Sequence, residues 1–356
     1  VALATSRNSS DARTNVSKIS DMLLRSWVPD DAELLARATM SACGSVGWAD
    51  PLQPRLLSAV LVHVFGFETD LDTLEPITVA EVTATIPDHL RRRQLIDLLV
   101  SLEVICNPIP QALSDSVDAW AAGLGVDDDD ALLVAREFAA GEVARATADF
   151  VRSTYSDIDD AQRAELDRRL ELFGERAYYF TVEEDPAIAG RYLALEHCEP
   201  GTLGRALWDF YIERGFLFPG QVGAANLELA LHDWGHVLYG YGTTGIGEVQ
   251  AAAFKAASSE FHGVDLQFFG TLMIYQSALL TSYVTGTHPH SEMEVPDAEC
   301  RVADAIRRGR VCTLDPFTPD LDFFDHVDED IDELRERWNI VPAAVGVDCP
   351  CAVCAR

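Results

Sequence analysis

From Asp30 onward, apolar residues recur at helical spacing. Leu34, Leu35 and Met40 open the pattern, Leu56 to Phe65 and Leu95 to Ile105 continue it, and Pro, Gly or Asp bounds each run. The strict alternation of strands is nearly absent. Asp127 to Asp130 stands directly before Ala131, where carboxylates cap a helix start and complement its dipole. A second helical block is predicted from near Asp159 through Leu172. The segment 175–202, with Pro186, Gly190, Pro200 and Gly201, reads as a long connection. Past it the pattern predicts helices over 203–215, 223–239, 246–260, 264–285, 297–309 and 328–338. Val264 to Val284 is strongly apolar, yet Asp265, Gln267 and Gln276 interrupt it, so a buried core helix is expected there rather than a membrane span. Polar residues 1–28 read as a flexible leader. The expectation is an all-α chain of two helical domains, 29–155 and 156–345, followed by a Cys-rich tail over 346–356.

Composition narrows the function classes. The chain has 356 residues, 48% of them hydrophobic, enough to bury a sizeable core. A formal charge of -31 excludes a nucleic-acid backbone as the expected partner, because phosphate binding needs clustered Lys and Arg. Only two lysines occur, Lys18 and Lys255, which reads as compositional bias rather than chemistry. Cys43, Cys106, Cys198, Cys300 and Cys312 are spread out and read as small buried thiols of a reducing compartment. Cys349, Cys351 and Cys354 bunch at the end and read as a non-essential tail. No basic stretch followed by an apolar run marks a signal peptide, so the expected location is cytoplasmic.

Chemistry concentrates in one place, Glu228-Leu-Ala-Leu-His232-Asp233-Trp-Gly-His236. Two histidines four apart on a helix project from the same face about one turn apart, a spacing that suits a single cation. Glu228 lies one turn earlier on that face and could ligate, orient a ligand histidine or move a proton. Asp233 is rotated about 100° from His232, so it sits at the edge of the site as a ligand or as a base. After His236, glycines at 240, 242, 245 and 247 allow a reversal that begins a second helix. That reversal turns Glu248 back towards the histidines. Ala251, Ala252 and Ala253 would then let two antiparallel helices approach closely around a shared site. The candidate metal ligands are His232, Asp233, His236 and Glu248, and the candidate proton-moving residues are Asp233 and Glu228. Nitrogen and oxygen donors without thiolate suit zinc first, with iron or manganese as alternatives.

The remaining histidines are weaker candidates. His63 lies in an apolar helix and reads as core. His262 could line the same pocket, and His288 and His290 flank a proline in what reads as an exposed turn.

At the metal motif the chain resembles the coenzyme Q biosynthesis protein 4 family, whose signature is His-Asp-x-x-His, eleven residues, then Glu. The likeness runs upstream through Pro200-Gly-Thr-Leu-Gly204, Phe210, Gly215-Phe216 and Glu228-Leu, and covers about residues 190–260 well. The resemblance implies an all-helical fold, a bound zinc or similar divalent ion, a pocket for a hydrophobic prenyl or quinone-like ligand, homodimers, and peripheral contact with a membrane. It also implies a part in ubiquinone biosynthesis, of decarboxylation or hydroxylation type. Residues 30–155 resemble the TerB-like tellurite-resistance helical domain, from Met40-Ser-Ala-Cys-Gly through Leu98-Leu-Val-Ser-Leu-Glu103 to Leu124-Gly125-Val126. The acidic metal positions of that family are not evident here, and the added domain departs from single-domain ubiquinone proteins.

The leading expectation is a metal-dependent lyase or oxidoreductase acting on a hydrophobic ring, with Phe210, Phe216, Phe218, Tyr241, Phe268 and Phe269 as candidate lining for its tail. Two other readings use the same residues. One is a non-catalytic lipid-binding scaffold in which a structural metal staples two helices. The other is a zinc hydrolase, since His-Asp-x-x-His is one methylene short of the His-Glu-x-x-His helix of metalloproteases.

Overall fold

The computed structural model describes residues 23–154, 160–174, 177, 179–260, 264–280, 291–316, 318 and 321–343. Among them the regular structure is fifteen α-helices without a strand: α1 Ala32–Ala42, α2 Leu52–Phe65, α3 Val79–Thr85, α4 His89–Val104, α5 Gln111–Leu124, α6 Asp130–Ala139, α7 Val143–Thr154, α8 Asp160–Phe173, α9 Pro186–Leu193, α10 Leu203–Arg214, α11 Leu227–Tyr239, α12 Gly245–Ser258, α13 Val264–Tyr275, α14 Ala298–Val311 and α15 Ile331–Arg337. The all-α expectation therefore holds for the described chain.

Two helices are buried on nearly every side over most of their length. In α4 every residue from Gln94 to Val104 is buried, and in α12 every residue from Val249 to Ser258. The polar residue Glu103 enters this interior with partners: Ser114 Oγ donates to it at 2.7 Å, and the Arg136 guanidinium forks onto both its oxygens. Helices from the two halves of the chain share one continuous core, with α2 packed on α14 and α13 packed on α4, α6 and α7.

Helix α12 packs chiefly along α14 and α13 and less extensively on α11, where Tyr239 stacks on Phe254 with ring centroids 4.0 Å apart. Gly309 of α14 lies tightly against α12, where an added Cβ would stand 2.3 Å from the Phe254 carbonyl oxygen and 2.9 Å from Ala257 Cβ. Backbone cannot yield as a side chain does, so Gly309→Ala is expected to destabilise the chain by about 1–3 kcal/mol. Urea denaturation at neutral pH measures this.

Several local expectations change. Residues 23–28 belong to the core rather than to a leader: Leu23, Leu24 and Trp27 are fully buried, Leu23 N–H donates to the Ala256 carbonyl of α12, and Trp27 Nε1 donates to the Arg91 carbonyl. The connection 175–202 contains α9, begun by Pro186 at its first turn and capped by Asp185, whose carboxylate accepts from Ala187 and Ile188 N–H. Helix α13 ends at Tyr275, ten residues before the predicted end at 285, because the chain turns out through Ala278 at φ 52°. Its twelve residues are too few to span a bilayer, and no helix among the described residues is long and apolar enough to do so. Cys300 is disulfide-bonded rather than a thiol, while Cys43, Cys106, Cys198 and Cys312 are free. The Asp127–Asp130 expectation holds in detail, since Asp129 caps α6 by accepting from Ala131 and Leu132 N–H. The leader residues 1–22, together with His262, His288, His290, Cys349, Cys351 and Cys354, lie outside the described residues.

Candidate metal centre

Helix α11 starts at a side-chain cap, Asn226 Oδ1 accepting from Leu229 N–H at 3.0 Å, and stops at Gly240 with φ 77°. Four residues later Thr244 caps α12 by accepting from Gly247 N–H. The turn is tight: an added Cβ at Gly247 would lie 2.1 Å from the Gly242 carbonyl oxygen. This construction places Glu248 in the first turn of α12, where the helix dipole favours an anion, directly against the His232–His236 face.

Three ligand atoms converge there. His232 Nε2 lies 2.9 Å from Glu248 Oε2, His236 Nε2 lies 3.2 Å from the same oxygen, and the two Nε2 atoms are 2.7 Å apart. Ligands held 2.0–2.1 Å from a tetrahedral ion stand about 3.3 Å from one another, so this cluster is within several tenths of an ångström of the required spread. His236 presents its other nitrogen, Nδ1, to the Tyr241 carbonyl oxygen at 3.1 Å. A proton on Nδ1 leaves the Nε2 lone pair for a metal, the usual way that outer contacts fix a ligand imidazole. The Tyr241 side chain is held in turn by the buried Arg308 guanidinium.

The three side chains are electrostatically coupled. Burial, then the positive Lys255 and His236, push His232 down to about 3, so it is neutral at neutral pH. Burial opposes charge on His236 as well, but Glu248 and Asp233 outweigh it and raise its pKa. Burial likewise opposes the Glu248 anion, yet the two histidines hold its carboxyl well below the ordinary range. With His232 and His236 deprotonated at Nε2, this donor set could hold a divalent ion, which would supply positive charge between the three atoms.

The three side chains differ in exposure. His232 and Glu248 are 15% and 16% exposed, against 1% for His236. Three protein ligands would leave the fourth position of a tetrahedral ion for water or substrate.

Asp233 is not brought into the cluster. Its carboxylate accepts a short hydrogen bond from the Tyr211 hydroxyl of α10, on the edge that the 100° rotation assigns to it. Burial pushes its pKa up to about 6, with the Tyr211 hydrogen bond acting in the opposite direction. Glu228 lies on α11 one turn before His232, but its side chain lies outside the described residues. Of the aromatic candidates, Phe210 stacks on His236 with ring centroids 5.8 Å apart, and Phe216 and Phe218 pack on Tyr211. Tyr241 packs on Phe254, and Phe268 and Phe269 are buried in α13. A groove of about 400 Å³ between α2 and residues 294–299 is lined by none of the three ligands.

Two residues near the site are not legible in the motif. Tyr211 reaches it only because α10 packs on α11. Lys255 lies on α12 seven residues, or two turns, after Glu248, is 3% exposed, and donates to Gln267 Oε1 at 3.0 Å. Burial lowers its pKa from 10.5 to about 8 despite the attraction of Glu248 and Asp233. Between those two values the unfolded chain holds the proton more firmly than the native one, so stability rises with pH there. Below pH 8 the full cost is present, on the order of 3 kcal/mol. Lys255→Met is therefore expected to be more stable than the parent at pH 7, with the margin shrinking between pH 8 and 10. Denaturant titrations at pH 7 and 9.5 check this; a margin independent of pH would contradict it.

No protein-family model matches the chain, and no curated protein matches it significantly. The class defined by fold and site is an all-α protein with a candidate two-histidine, one-carboxylate metal centre.

Proposed function

We propose that this chain is a metal-dependent enzyme of the quinone or prenyl-lipid biosynthesis type, acting on a hydrophobic aromatic ring that bears a carboxylate or phenolate. The observation that carries the reading is the convergence of His232, His236 and Glu248. The resemblance of the His-Asp-x-x-His, eleven-residue, Glu spacing to the ubiquinone-biosynthesis family supplies the substrate class. His232, His236 and Glu248 would hold the ion, zinc by preference for this donor set, and it would supply Lewis-acid polarisation of an anionic substrate oxygen. Asp233, with a pKa close to the working pH, moves a proton at the edge of the site, and Tyr211 fixes the direction of its carboxylate. Phe210 holds the His236 ring against rotation by stacking on it. A homodimer with peripheral membrane contact belongs to the same proposal through the family resemblance.

The test is release of labelled carbon dioxide from a prenylated hydroxybenzoate labelled in its carboxyl carbon, with oxygen uptake followed in parallel. Turnover that falls by roughly 10²-fold or more in Asp233→Asn, with metal content unchanged, supports the reading. Binding of the acid without turnover by either measure overturns the enzyme and favours the lipid-binding scaffold. Cleavage of general peptide substrates that disappears with Asp233→Asn favours the hydrolase.

A further inference from the structure

The groove between α2 and residues 294–299 lies outside the metal centre, and its lining divides by chemistry. Its volume is about 400 Å³, within the range of sites for small molecules. Leu61, Val62, Phe67 and Pro296 supply an apolar wall. Glu68, Glu294, Asp297 and Glu299 set four carboxylates against one guanidinium, that of Arg55. The groove is therefore negative, in a chain whose own charge of -31 already draws cations towards it.

Glu299 is the exceptional member. It stands in the first turn of α14 with its side chain only 7% exposed, yet among the described residues it makes no hydrogen bond. Its ionic partner there is Arg55, whose Nε lies 3.7 Å away, too far for a hydrogen bond, and whose side chain is 48% exposed. A water-exposed guanidinium at that distance offers a buried carboxylate little. Burying a carboxylate costs free energy that hydrogen bonds normally offset, so Glu299 keeps unused acceptor capacity in the wall of the groove. A metal ion does not account for this arrangement. Several ligand atoms would have to converge on one, and among the described residues only His232, His236 and Glu248 form such a group. An organic ammonium does account for it: its N–H groups donate charge-assisted hydrogen bonds of about 2.8 Å to a carboxylate while an apolar body lies on the wall.

We propose that this groove binds a small organic cation, an ammonium on an apolar body, with Glu299 receiving the charge and Leu61, Val62 and Phe67 the body. The inference is independent of the metal reading.

Benzylammonium is the test ligand and benzyl alcohol its uncharged counterpart of the same shape, each titrated calorimetrically into the full-length protein at fixed ionic strength. The expected result is saturable binding of one benzylammonium per chain. Benzyl alcohol should bind at least about tenfold more weakly, and so should benzylammonium in Glu299→Gln. Val62→Trp, which adds bulk at the groove wall and keeps Glu299, should weaken benzylammonium to a similar degree, and it carries the test where Glu299→Gln does not fold. His236→Ala, which alters only the metal centre, should leave the affinity unchanged. Unsaturable binding, equal affinity for benzyl alcohol, or unchanged affinity in a folded Glu299→Gln or Val62→Trp overturns the proposal. Loss of binding in His236→Ala overturns it by placing the amine at the metal centre, and displacement of benzylammonium by stoichiometric calcium overturns it in favour of a metal ion.

Discussion

Replacing His236 with alanine is expected to remove the metal while leaving the helical fold in place. The side chain is the most buried of the three ligands, its orientation is fixed by the Tyr241 carbonyl, and Phe210 stacks on its face. Loss of a ligand outweighs loss of an outer contact, which by itself costs about 10- to 100-fold in affinity, so zinc affinity should fall by ~10²-fold or more. The far-ultraviolet circular dichroism should stay helical, because α11 keeps its Asn226 cap and its packing on α10 and α12. Competition with a chromophoric chelator gives the affinity. Equal zinc binding by the variant would show that the ion, if bound, sits elsewhere.

The second large effect is expected from a residue that is not itself a ligand. Gly247→Ala puts a methyl group 2.1 Å from the Gly242 carbonyl oxygen and 2.8 Å from its carbon, and neither atom can move without opening the turn. The start of α12 must shift, and Glu248, the next residue, shifts with it. A displacement near 1 Å is enough to undo a coordination set whose ligand atoms lie 2.7–3.2 Å apart. Zinc affinity should drop by about as much as in His236→Ala, with a further loss of about 1–3 kcal/mol in stability. Gly242→Ala is the matched control, since an added Cβ there meets nothing within 4 Å. It should change stability by no more than ~0.5 kcal/mol and leave zinc binding intact. Equal behaviour of the two variants would remove the turn from the account.

Much of this was readable from the chain because helices announce themselves by period. The apolar spacing located α1, α2, α4 and most helices after residue 200 to within a few residues, and the acidic run before Ala131 marked a real cap. The errors have physical causes. Helix α9 hid behind Pro186 and Gly190, although proline is well placed in a first turn. The end of α13 depends on Ala278 in the left-handed region, which an apolar run does not forecast. Trp27 looked like part of a polar leader, yet it lies under the Arg91 guanidinium and joins the core.

The candidate site divides in the same way. His232, His236 and Glu248 were legible because helix geometry and a glycine turn, both local, suffice to bring them together. The edge position of Asp233 followed from helix geometry, but its partner Tyr211 did not, since that contact exists only through the packing of α10 on α11. Lys255 did carry a signal, seven residues after Glu248 and one of only two lysines. Its meaning depends on burial, which composition cannot supply.

The central claim is that three side chains hold one divalent ion, and elemental analysis of the freshly purified full-length chain tests it most directly. The account predicts about one equivalent of zinc per chain, a melting temperature that falls on chelation, and loss of that zinc in His236→Ala. Iron in place of zinc would keep the site and move its chemistry from acid–base catalysis to oxidation. Metal-free protein that takes up no zinc, iron or manganese, with melting unchanged by chelator, would contradict the account.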